Sequence, residues 1–93
     1  MDVRFYVDPE TDEPHIYSHQ VTEEEVADVL RSPGEDRPGR EGSRVVIGRT
    51  QAERYLRVIY VPEPRSVFVI TAYEMSGKPL AAYRRRRRRR GES

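Results

Sequence analysis

No cysteine occurs among the 93 residues, so the chain can build neither a disulfide nor a thiolate metal site and is indifferent to the redox state of its compartment. Apolar runs are short. None approaches the ~20 residues needed to span a bilayer, so no membrane partner is expected. The beginning, MDVRFYVDPETDE, has neither the basic start nor the apolar segment of a secretory signal, and the expected location is the cytoplasm. The glycines form no phosphate-cradling loop, and no nucleophile-elbow or kinase signature is present. His15 and His19 stand four apart, but Pro14 works against a regular helix there and spacing offers no third ligand, so neither a metal nor another cofactor is expected.

What is abundant is charge, unevenly placed. Residues 1–36 hold eleven acids against Arg4 and Arg31, a balance of −9, and residues 37–93 hold fifteen bases against five acids, a balance of +10. The formal net charge of +1 conceals that division. Seven adjacent arginines, Arg84 to Arg90, exceed what solubility needs and point to RNA or another polyanion as partner. With 35% hydrophobic residues, one thin core and a single domain over 1–93 are expected.

VRFYV alternates and predicts a short edge strand. In SHQVTEEEVADVL, Thr22 is a natural N-cap, Glu25 completes a capping box, and Val21 can staple to Val26; Ser32-Pro33-Gly34 ends that helix. PGEDRPGREG has no periodicity, which predicts a flexible loop over about 33–43. RVVIGRT, RYLRVIYV and SVFVITAYE follow as β-like runs with links too short for parallel crossovers. Together they predict an α+β fold with a small antiparallel meander sheet of three to four strands, an N-terminal capped helix and a C-terminal arginine-rich helix. Pro79 is tolerable only in the first turn of that last helix. Self-repulsion among the arginines predicts fraying over about 88–93.

The remaining inventory of His, Arg, Tyr and Glu around a small sheet suits RNA cleavage without a metal. Attack of a ribose 2′-hydroxyl on the adjacent phosphate needs a proton acceptor, a proton donor and cations for the phosphate charge. Histidine titrates near neutrality, and arginine grips phosphate with two prongs.

The order of motifs over residues 15 to 90 resembles the BrnT-like toxins of the RelE/ParE superfamily. The most specific parts are His19 followed by Val-Thr-Glu-Glu-Glu, the Gly48-Arg49 pair closing a strand, and Ile70-Thr71-Ala72 leading to a basic helix. The resemblance implies a RelE-like fold and a cofactor-free ribonuclease of a bacterial toxin–antitoxin pair, inhibited by a small antitoxin protein. It carries catalytic roles onto His19 and Arg49. Many such toxins have arginine where this chain has Tyr73, and their terminal helix mixes glutamate with arginine.

Substrate-binding candidates are Arg54, Arg57, Tyr73, Tyr83, Arg84, Arg85, Arg87 and Arg88. Each candidate also has a structural role open to it. His19 can pack beside the helix start, Arg49 can pair with the acidic helix, Arg54 and Arg57 can form surface or cross-strand pairs, and Tyr73 can belong to the core. Capping accounts for Glu23 to Glu25. Two other functions compete with cleavage: a non-catalytic nucleic-acid-binding module, and an interaction protein whose basic helix is covered by an acidic partner.

Overall fold

The computed structural model describes the backbone of residues 2–92 and the side chains of residues 2–89. In chain order the elements are β1 (Asp2–Phe5), β2 (Val7–Asp8), β3 (Glu13–Pro14), a 3₁₀ turn (His15–His19), α1 (Glu23–Arg31), β4 (Glu35–Pro38), β5 (Arg44–Arg49), β6 (Tyr55–Pro62), β7 (Ser66–Glu74) and α2 (Gly77–Glu92). Strands β2 and β3 form a two-stranded ribbon, and the others form one sheet in the order β1-β7-β6-β5-β4.

The first helix starts where its capping box requires. The Thr22 hydroxyl accepts from the Glu25 N–H at 3.2 Å, and the Glu25 carboxylate accepts from the Thr22 N–H at 3.0 Å. Two backbone donors at the helix start are thereby satisfied. Behind the cap, Val21, Val26 and Val29 are buried with Ile16 from the 3₁₀ turn against Val46, Leu56, Val58, Tyr60, Val69 and Ala72 of the sheet. Gly48 marks the close approach of α1 to β5. A β-carbon there would stand 3.1 Å from Cγ1 of Val29.

The fold is α+β as expected, but the small antiparallel meander is corrected to a five-stranded mixed sheet. Short links dictate direction only between consecutive strands, and β1 lies about two thirds of the chain away from its neighbour. It pairs parallel with β7, Val3 opposite Val67 and Phe5 opposite Val69. The second addition, β4, falls inside the expected loop. Its ends are held by side chains that an apolar pattern cannot reveal: Asp36 accepts from the Tyr60 hydroxyl at 2.7 Å and from Arg44 Nε at 2.9 Å, and Glu35 takes Arg86 from α2. Glu41 and Gly42, both at positive φ, turn the chain into β5.

The two faces of the sheet receive different helices. While α1 covers the Leu56 and Val58 side, α2 packs Leu80 and Tyr83 against Ile47, Tyr55 and Met75 on the other. Pro79 falls in the first turn of α2, which runs in one piece through Glu92. The fraying expected over about 88–93 extends to Ser93, outside the described residues. Beyond the contact with α2 this second face leaves Ile59, Val61, Phe68 and Tyr73 partly exposed and Ile70 exposed.

Candidate active site

Side chains directly opposite one another in an antiparallel ladder share a face. Arg57 in β6 stands between Ile47 of β5 and Tyr73 of β7, and the next row holds Ile59 opposite Thr71. Arg57, Thr71 and Tyr73 therefore converge on the face that α2 leaves partly open. Both Nε of Arg57 and Oγ1 of Thr71 are buried without a hydrogen-bond partner. Arg57 also makes no ion pair among the described residues. A buried Nε–H without an acceptor is costly and calls for one. Arg57, Tyr73, Glu74, Met75, Ser76 and Pro79 line a hollow of about 210 Å³ at the foot of α2, and the one acid among them, Glu74, is paired with Arg54.

His19 does not line this hollow but stands beside Tyr73, which does. It ends the 3₁₀ turn, which is closed by Gln20 in the left-handed conformation at φ 60. The exposed His19 ring lies 6.0 Å from that of Tyr73 and 5.3 Å from that of His15, centroid to centroid. Histidine and tyrosine thus sit side by side, with arginine on the strand adjoining the tyrosine.

Arg54 serves the architecture. Its Nη1 donates to both oxygens of Glu25 at 2.8 and 2.7 Å and to the Gln20 carbonyl at 3.1 Å, and its Nη2 donates to Glu74 at 3.2 Å. One side chain therefore joins the cap of α1, the residue after His19 and the end of β7. Burial works to raise the pKa of Glu25, but the Thr22 N–H and Arg54 outweigh it and hold the carboxyl below its ordinary value. Arg54 and Glu74 are thereby paired with each other.

Arg49 lies elsewhere. It lines a second, larger groove of about 660 Å³ between the end of α1 and α2, with Arg31, Tyr55, Tyr83, Arg84, Arg87 and Arg88, and His19 is not part of that lining. The sequence pairs His19 with Arg49; in the structure His19 stands beside Tyr73, the cross-strand neighbour of Arg57. Arg49 has one long contact, 3.7 Å to exposed Glu53.

The arginine run itself is divided. Arg86 forms a two-pronged pair with Glu35 at 2.7 and 2.9 Å, Arg87 donates to the Gly34 carbonyl at 2.7 Å, and the Arg84 guanidinium lies 4.9 Å over the Tyr55 ring. Tyr83 is buried above Gly34, where any β-carbon would overlap its hydroxyl. Burial raises the pKa of that hydroxyl, which keeps it neutral. Arg85 and Arg88 make no ion pair among the described residues. Thr71 was not singled out in the sequence, although its place one row from Arg57 was available once the strands were aligned.

Among the described residues no group of three His, Asp or Glu side chains is placed to hold a metal ion. No described helix is long and apolar enough to cross a membrane. Neither curated proteins nor solved structures gave a match. Residues 16–74, which run from the 3₁₀ turn to the end of β7 and include His19, Arg57 and Tyr73, match a family described as Domain of unknown function (DUF4258), and the chain belongs to that family.

Proposed function

We propose that this protein binds RNA and cleaves it without a metal, on the open sheet face at Arg57, Tyr73 and His19. The observation that carries the proposal is the buried, acceptor-less Nε of Arg57 beside Tyr73, whose ring lies 6.0 Å from that of His19. A phosphodiester supplies the missing acceptor, and arginine matches its paired oxygens. His19 takes the proton of a ribose 2′-hydroxyl, the freed oxygen bonds to phosphorus, and the bond from phosphorus to the 5′-oxygen breaks. Tyr73 protonates that leaving oxygen and recovers its proton from His19. The products are a 2′,3′-cyclic phosphate and a 5′-hydroxyl strand, and Arg57 stabilises the charge added to the phosphate between them. The resemblance to BrnT-like toxins supports the same chemistry and adds a small antitoxin protein as inhibitor.

The test is incubation of labelled RNA with the purified protein in EDTA, beside His19→Ala, Arg57→Ala and Arg49→Ala. Cleavage should persist in EDTA, fall by ~100-fold or more in the first two variants, and survive at saturating RNA in the third. Intact RNA with the wild-type protein, or equal cutting by all four, contradicts the proposal.

A further inference from the structure

The groove that holds Arg49 has no part in that chemistry, yet it is strongly basic. Five arginines, Arg31, Arg49, Arg84, Arg87 and Arg88, line it against one acid, Asp28. That acid is already engaged, through Arg31 and through the Gln51 N–H at 3.2 Å. Several of the arginines are also positioned in advance. Arg87 is held by the Gly34 carbonyl, and the Arg84 guanidinium lies over the Tyr55 ring. The volume of about 660 Å³ is in the range of a small-ligand site. Helical spacing places Arg84, Arg87 and Arg88 on one side of α2, three and four residues apart, and Arg85 is not part of the lining.

We infer that the groove between the end of α1 and α2 is a separate phosphate-binding channel, one that holds a single-stranded RNA segment outside the bond to be cut. Stacked and carbonyl-bound guanidiniums lose little freedom when a phosphate arrives, so the channel grips a strand better than the same charges on a free tail. The inference rests on RNA as the substrate, but not on cleavage.

A fluorescent 2′-O-methyl RNA oligomer has no 2′-hydroxyl to attack and reports binding alone. Its anisotropy over a salt series is to be measured for the wild-type protein, for Arg49→Ala/Arg88→Ala, and for Arg85→Ala. The double variant should bind ~10-fold more weakly at low salt, with a log-log salt slope shallower by about 1.4, two phosphates at about 0.7 each. Arg85→Ala should stay within about twofold of wild type, since it keeps the channel intact. Unchanged binding by the double variant overturns the channel, and so does an equal loss with Arg85→Ala, which would make the run a diffuse positive field. Failure of the cleavage proposal has a different signature: tight, salt-dependent binding of this oligomer with unmodified RNA left intact.

Discussion

Arg57 and Tyr73 are direct cross-strand partners on the open face of the sheet, and Nε of Arg57 is buried there without an acceptor. A side chain retained only for stability would be expected to have its charge matched. Replacing Arg57 by an apolar side chain of similar length removes the desolvation cost of that one unpaired N–H, so Arg57→Met should be stabilising by ~1 kcal/mol. Thermal melts should show a higher Tm for Arg57→Met together with loss of cleavage. A lower Tm would mean that Arg57 holds the fold together, and its missing acceptor would lose its functional meaning.

Arg54 should behave in the opposite way. Its removal leaves Glu25 and Glu74 without their cation and the Gln20 carbonyl without its donor. Arg54→Ala should cost ~3 kcal/mol, the range for breaking a partly buried, hydrogen-bonded charge pair. Urea unfolding measures this, and a loss as small as that of an exposed surface pair would contradict it.

Glu25 gives the same cluster a pH dependence. Its pKa in the folded protein lies below the ordinary carboxylate value, so its ionised form is favoured by folding. That contribution is complete above the unfolded pKa of about 4.3 and is lost as pH falls through the lower folded value. Stability should therefore drop between pH 5 and the acid limit more steeply for wild type than for Glu25→Gln, about these pH values. Parallel profiles for the two proteins would show that the carboxylate contributes nothing.

Gly34 and Tyr83 form a size-matched pair. A β-carbon at position 34 overlaps the Tyr83 hydroxyl and approaches its ring carbon at 3.1 Å, so Gly34→Ala should destabilise the docking of α2 by ~2 kcal/mol. Tyr83→Phe removes the overlapping oxygen, and the double variant should regain most of that loss. A double-mutant cycle in chemical denaturation gives the coupling directly. Strict additivity would show that Tyr83 does not sit on Gly34 in solution.

Much of this molecule was legible from residue order. The capping box at Thr22 and Glu25 reports itself locally, and the strands rich in Val, Ile and Tyr carry their own signal. The pairing of β1 with β7 does not, because parallel neighbours need no turn between them and nothing in VRFYV names its partner. Likewise β4 is polar throughout and is held by Arg44 from the next strand and by Tyr60 and Arg86, residues far along the chain. The candidate site was legible in part for the same reason. His19, Arg57 and Tyr73 each stood out by type, but their grouping, and the departure of Arg49 to another groove, depend on strand register. The sequence also treated Arg54 and Arg57 alike, as two arginines three apart flanking one strand. Only their surroundings separate the one that is fully paired from the one that lacks an acceptor.

The most direct measurement of the central claim is the single-turnover rate of RNA cleavage by Arg57→Ala in EDTA, taken beside its affinity for the 2′-O-methyl oligomer. Loss of ~100-fold or more in rate with affinity within about threefold is the predicted result, because Arg57 acts on the reacting phosphate and the arginine groove is untouched. A variant that cleaves at the wild-type rate would contradict the assignment of the sheet face as the active site.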